Sequence, residues 1–174
     1  MAIEIMVGNI TTCNDDAIVN AANEALLPGG GVCGAIHHAA GPELAAACRA
    51  LGHCPTGNAV ITPGFNLKAK HVIHAVGPKW QDGRHGENNL LAQCYQSIFT
   101  LVKDHRLKSV AIPAISTGIY GFPLQQATEI AVKMAKEFSA VAPDITIRFV
   151  CYSNDVAKIY REMMLGPSPF SSGQ

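Results

Sequence analysis

Apolar residues recur along this chain with two different periods. Ile3-Glu4-Ile5-Met6-Val7 alternates and predicts a first strand, followed by a turn at Gly8-Asn9-Ile10. Asp16 to Asn20 is a short apolar run, which suits a strand buried on both faces. Asn58 to Thr62, His71 to Val76, Ser109 to Pro113 and Ile145 to Cys151 predict further strands. Between them the period lengthens to that of a helix. One helix starts near Gly34 and is interrupted at Gly41-Pro42; Pro42 then opens a second piece with Leu44, Ala45, Cys48 and Leu51 inward. A longer helix from Asn88 to Lys103 carries Leu90, Leu91, Cys94, Tyr95, Ile98, Leu101 and Val102 at helical spacing. Another runs from Pro123 to Phe138 with Ala127, Ile130, Ala131, Met134 and Phe138 on one face. A final helix carries Val156, Ile159, Tyr160 and Met163. Strands alternating with helices predict an α/β fold with helices on both faces of a central sheet. In such sheets ligands bind in the loops beyond the strand ends.

The stretch Asn20 to His38 reads NAANEALLPGGGVCGAIHH. It orders a strand, a glycine-rich loop and a helix. Glycines at such a junction let backbone N–H groups approach a ligand, and a helix start carries partial positive charge. That combination suits a phosphate. It is neither a P-loop, since no Lys-Ser/Thr follows, nor GxGxxG. A plain flexible turn is the alternative. A second glycine-containing loop, Ile115-Ser116-Thr117-Gly118-Ile119-Tyr120-Gly121, also follows a strand, so both loops can line one crevice.

Composition narrows the classes. The 174 residues suit one domain, residues 1–165, with a full core, and hydrophobic residues reach 48% against 15% charged. The Pro/Ser/Gly-rich end, residues 166–174, predicts a flexible tail. Lys+Arg and Asp+Glu both number 13, so broad capture of a nucleic-acid backbone is not expected. No run is long enough to span a bilayer, and the N-terminus lacks a basic region. A cytoplasmic monomer is the expectation. The six cysteines form no CxxC pair and no disulfide framework is expected; Cys94 and Cys151 read as buried small hydrophobes, whereas Cys33 is set apart by its place after the glycine-rich loop. Asp82, Arg84 and His85 lie in a polar loop, Trp80 to Glu87, and read as solvated. No metal and no cofactor is expected.

NAAN, a GGGV loop after it, IH-x-AAGP, Cys54-Pro55-Thr56-Gly57-Asn58-Ala59 and the STGIYG loop together resemble the macrodomain family, in particular its MacroD-like branch. The resemblance runs from about Ile3 to about Met164. It implies a three-layer α/β/α sandwich with a mixed sheet. It implies that Gly30, Gly31, Val32, Ser116, Thr117, Gly118, Ile119, Tyr120 and Gly121 cradle the diphosphate of ADP-ribose. By the same resemblance Tyr120 packs on the distal ribose, Tyr152 lies against adenine, and Asn9 and Ile10 meet the base. Asn23 matches the asparagine that bonds the distal ribose, and Asn20 either joins the site or fixes a turn. The implied partners are ADP-ribose, an ADP-ribosylated protein or O-acetyl-ADP-ribose.

Two positions depart from the family pattern. Asn9 stands where an aspartate is usual; its amide oxygen can still accept, without charge. Cys33 stands where the MacroD-like branch carries an aspartate that works with a histidine four residues on, here His37. A thiol is a poor general base unless ionised. The expected activity is hydrolysis of ADP-ribosyl esters, on acidic side chains or as O-acetyl-ADP-ribose, with Asn23, Cys33, His37 and Tyr120 as catalytic candidates. The alternatives are a reader that binds ADP-ribose with little chemistry, a Cys33–His37 nucleophilic pair, and inert roles in which Cys33 fills space and His37 and His38 lie on a helix surface. RNA binding finds no basic aromatic stripe to support it.

Overall fold

The computed structural model describes residues 2–166. Six strands form one sheet: β1 (Ile3–Val7), β2 (Ala17–Ala21), β3 (Ala59–Pro63), β4 (His71–Ala75), β5 (Ser109–Ile112) and β6 (Thr146–Cys151). Their order is β1-β6-β5-β2-β4-β3. Every neighbouring pair is parallel except β3 with β4, so the sheet is mixed. Five helices complete the fold: α1 (Gly31–Ala40), α2 (Pro42–Leu51), α3 (Glu87–Asp104), α4 (Leu124–Val141) and α5 (Asn154–Leu165).

The alternation of the strands divides the core. Val19, Ile73 and Ile147 pack with Leu91, Tyr95 and Ile98 of α3, Ala131 of α4 and Tyr160 of α5. Ile18, Val72 and Ala111 point the other way, onto Ile36 of α1 and Leu44 and Cys48 of α2. Side chains of successive strand residues face opposite sides, so a run buried on both faces needs a helical layer on each. The result is the three-layer sandwich. Its central strand, β2, is buried from Ala17 to Asn20.

Some local details differ from the sequence expectation. α1 begins at Gly31, earlier than Gly34, because Gly34 N–H already closes the first turn on Gly30 O at 3.3 Å. Leu44 and Cys48 of α2 point inward, but Leu51 is 46% exposed. It is the last residue before Gly52, whose φ of 87° turns the chain away. Asp82, Arg84 and His85 are exposed as expected, yet Glu87 at the end of that loop is buried. The six cysteines are free and buried. Most of the sequence-predicted tail lies outside the described residues. Among the described residues no helix is long and apolar enough to cross a membrane.

Candidate functional site

Five parallel strands end at one edge of the sheet. β2 ends with Asn20 and Ala21, and the loops that leave the edge carry Asn9 after β1, Ala22 to Gly30 after β2, Val76 to Gly86 after β4, Ser116 to Gly121 after β5, and Tyr152 after β6. The sequence-predicted site residues therefore gather at one edge, where open α/β sheets bind ligands.

The loop after β2 is held by Asn23. Its Nδ2 donates to Leu27 O at 2.9 Å, and Leu27 N–H donates back to Oδ1 at 3.0 Å. One N–H and one lone pair of this amide stay free. The turn-fixing role considered for Asn20 thus falls to Asn23. The loop delivers the chain into α1, whose first turn has no side-chain cap. Since Gly34 makes the first helical bond, the N–H groups of Gly31, Val32 and Cys33 have no helical partner. Uncapped donors plus the helix dipole form an anion site.

The loop after β5 is built by close contact. Ser116 is buried and adopts φ 68°, a strained conformation for a non-glycine residue. Gly77 makes room for it: a Cβ there would stand 2.3 Å from Ser116 Oγ. Phe122 N–H to Ser116 O (2.9 Å), Gly121 N–H to Gly118 O (3.0 Å) and Trp80 N–H to Tyr120 O (2.8 Å) hold the curve. The Thr117 hydroxyl is tied to Ala114 O at 3.0 Å. The side chains of Ser116 and Thr117 are thus turned inward, and the loop offers a ligand mainly its backbone. Gly118 is different from its neighbours. Its φ is not in the left-handed region, and a Cβ on it would meet nothing within 4 Å.

The two loops face each other. A Cβ on Gly30 would lie 3.8 Å from Cδ1 of Ile119, itself 87% exposed. Tyr120 is half-buried, and its ring lies under the Lys79 ammonium, 5.5 Å from the centroid. Burial raises the Tyr120 phenol above its ordinary range, assisted by Glu24 of the opposite loop and Cys33 of α1. Tyr120 therefore stays protonated at neutral pH. Glu24 is itself fixed by Thr56 through N–H (3.0 Å) and hydroxyl (2.9 Å) donors.

Beneath the first loop lies a buried polar chain. Asn20 Nδ2 donates to His74 Nδ1 at 3.1 Å, and it also approaches Cys33 Sγ at 3.6 Å. With Nδ1 accepting, the His74 proton sits on Nε2 and is donated to Thr62 Oγ1 at 3.0 Å; that hydroxyl donates to Pro63 O at 3.0 Å. Asn20 Oδ1 and His37 Nδ1 remain buried without a protein partner among the described residues. Cys33 is buried, with Sγ reaching Leu27 O at 3.8 Å. No hydrogen bond joins Cys33 and His37 among the described residues. His37 is buried, contrary to a helix-surface role, whereas His38 is exposed. Burial lowers the His37 pKa.

Burial, helped by His37, depresses the His74 pKa to about 4. A histidine neutral in the fold takes up a proton more readily when unfolded. Its contribution is full above about pH 6.5 and is lost as pH falls towards about 4. We expect ~3 kcal/mol of acid destabilisation from this residue. Comparing denaturation midpoints at neutral and acid pH for the wild type and His74→Gln measures it: the variant should lose less on acidification.

At the far end of the edge, Asn9 departs from expectation. Its amide oxygen accepts from Thr11 N–H (3.0 Å) and Thr11 Oγ1 (2.7 Å), capping the turn Ile10–Thr12. That oxygen was expected to serve a ligand, and it is occupied instead. The Ile10 side chain belongs to the core, leaving only its backbone near the edge. Tyr152 is 70% exposed. Sequence reasoning missed His74, Thr62, Gly77 and Lys79. A histidine inside the apolar run His71 to Val76 was the available signal for His74, since a polar group there has to find a buried partner.

One other titratable group gathers near the site. Asp82, His85 and Glu87 bring ligand-type atoms within 4.8 Å of one another. Glu87 is already saturated: its carboxylate accepts backbone N–H groups from Gln81, Asp82, Gly83 and His85. Burial opposes its charge, but these donors hold the carboxyl down at about 2. The cluster locks the loop that leads into α3.

The chain as a whole is similar to known proteins. The family model described as Macro domain matches residues 19–131. A macro domain-containing protein of Methanosarcina mazei is 51% identical over 164 residues, covering 93% of this chain and 87% of that protein. An O-acetyl-ADP-ribose deacetylase of Escherichia fergusonii is 50% identical over 167 residues, covering 93% and 94%. A solved mutant Oceanobacillus iheyensis macrodomain with ADPR superposes with a TM-score of 0.90 at 42% identity, covering 94% of this chain and 91% of that one.

Proposed function

This chain belongs to the macro domain family, and on that premise we propose that it binds ADP-ribose and hydrolyses ADP-ribosyl esters. The supporting observation is the pair of facing loops, Gly30 opposite Ile119, one ending in the uncapped start of α1. A diphosphate between them receives backbone N–H donors from both sides, which a chain of zero net charge needs in place of a basic patch. Relatives named O-acetyl-ADP-ribose deacetylase at 46% to 50% identity support the ester chemistry.

In this reading the distal ribose lies against Tyr120 and Asn23, and the base lies towards Tyr152. Asn23 is already immobilised by Leu27, so its remaining donor and acceptor cost little further ordering when they meet ribose hydroxyls. Water attacks the ester carbonyl or the anomeric carbon of a substrate held this way. Cys33 brings no carboxylate, so the substrate's own phosphate and ribose hydroxyls position that water.

Calorimetric titration with ADP-ribose, then assay of its release from a protein modified on acidic side chains and of acetate release from O-acetyl-ADP-ribose, tests the proposal. Binding with release supports the hydrolase. Binding without release identifies a reader, the reading that Cys33 favours. Absence of binding removes both. Asn23→Ala should lower turnover about tenfold, the loss of one or two neutral hydrogen bonds. Unchanged turnover takes Asn23 out of the mechanism.

A further inference from the structure

Cys33 differs from the other cysteines in its surroundings. Burial pushes the thiols of Cys13, Cys48, Cys54, Cys94 and Cys151 up, which keeps them protonated and unreactive. Cys33 alone stands in the first turn of a helix, where the uncapped start of α1 favours negative charge. It lies beneath the glycine loop: a Cβ on Gly29 would stand 3.9 Å from its Sγ.

Unspent polar groups surround this sulfur. Asn20 Nδ2 approaches Sγ at 3.6 Å, and Asn20 Oδ1 is buried without a partner among the described residues. Helical side chains lean towards the N-terminus, so His37 lies back over the turn that carries Cys33. His37 Nδ1 is likewise buried and unpartnered among the described residues. A thiol offers these groups little. Its proton reaches Leu27 O, at 3.8 Å. An oxygen-bearing anion on the same sulfur would accept from Asn20 Nδ2, from a proton on His37 Nδ1 and from the helix start. Glu24, the carboxylate that acts on Tyr120, is tied to Thr56 and cannot fill that place.

We propose that Cys33 is a peroxide-sensitive modification site, and that its sulfinate supplies the anion this crevice otherwise lacks. The thiolate attacks one oxygen of hydrogen peroxide; an S–O bond forms, the O–O bond breaks and hydroxide leaves. The resulting sulfenic acid repeats the step with a second peroxide. In sum, a thiol and two peroxides give a sulfinic acid and two waters, with the sulfur oxidised and each peroxide taking two electrons. Cys48, the other thiol on this polar chain, contacts His74 Nε2 at 3.7 Å rather than Cys33, so it does not intercept the sulfenic acid as a disulfide. The consequence for activity rests on the hydrolase reading above. A sulfinate accepts from water as a carboxylate does but is the weaker base, so its gain is smaller than that of Cys33→Asp.

The full chain is treated with hydrogen peroxide, freed of the excess, and assayed on O-acetyl-ADP-ribose beside the untreated chain, Cys33→Ser and Cys33→Asp. Fragment masses should place two added oxygens on Cys33, and kcat should rise about tenfold. Cys33→Ser should not respond to peroxide, which separates the effect from methionine oxidation. A Cys33 left unoxidised where methionines are oxidised, a disulfide with Cys48, or a sulfinate without a gain in kcat would each overturn the inference. Hydrolysis by the untreated chain or by Cys33→Asp would then show that the hydrolase reading stands. If neither the oxidised chain nor Cys33→Asp releases acetate, that reading fails and oxidative activation fails with it.

Discussion

Replacing Cys33 with aspartate is expected to raise turnover of O-acetyl-ADP-ribose by about two orders of magnitude, within the range of a well-placed general base. Cys33 occupies the first turn of α1, with Sγ 3.6 Å from Asn20 Nδ2 and His37 one helical turn on. A carboxylate there gains a donor from Asn20 and the uncapped helix start, both of which favour its charge. Burial of the position works in the opposite sense and pulls the carboxyl towards neutral pH, where a base is most effective. Activity of the variant should therefore rise with pH through the new carboxyl's pKa, an acid limb that the wild type lacks. Cys33→Ser is the control, because it matches the size without the base and should give no gain. If kcat of Cys33→Asp equals that of the wild type while affinity is unchanged, water is activated elsewhere and the missing carboxylate is irrelevant to this chain.

The second large effect is a loss. Gly118→Ala should weaken ADP-ribose binding by about a hundredfold while leaving the fold as stable as before. Among the described residues nothing needs a glycine at this position: the backbone is not left-handed, and a methyl would meet no atom within 4 Å. The substitution should even stabilise by ~0.4–1 kcal/mol, through reduced freedom of the unfolded chain. The space it fills is the approach to the backbone N–H groups of the loop. Charge-assisted hydrogen bonds of that kind contribute ~1.5–3 kcal/mol each, so blocking one or two gives the stated loss. An affinity unchanged by Gly118→Ala, at an unchanged unfolding midpoint, would mean that the diphosphate does not pass this loop. Gly77→Ala makes a useful contrast. Its Cβ would strike Ser116 Oγ and Ile115, so there stability and binding should fall together.

The alternating residues of β1, the doubly buried run ending at Asn20 and the helical spacing in α3 and α4 made the layers legible before any coordinates. These signals are local: a strand between two helical layers is apolar throughout, and a helix on one side is apolar at every third or fourth position. The glycine loops were legible too, since few other sequences place backbone N–H groups at a strand end. Burial of Leu51 was misjudged because a helical period does not reveal where the covering elements stop.

What the sequence alone determined is the α/β class and the pair of glycine-containing loops at strand ends, each from residue type and spacing over a few turns. That Cys33 stands where an aspartate is usual follows from the family resemblance. Only the tertiary structure decided how the asparagines divide their work. Asn23 is bound to the nearby Leu27, Asn20 meets His74 across the sheet, and Asn9 spends its oxygen on Thr11. An amide offers both donors and an acceptor, and which of them is left for a ligand depends on the neighbours that the fold brings to it. That choice involves residues as far apart as Asn20 and His74, and no local pattern encodes it.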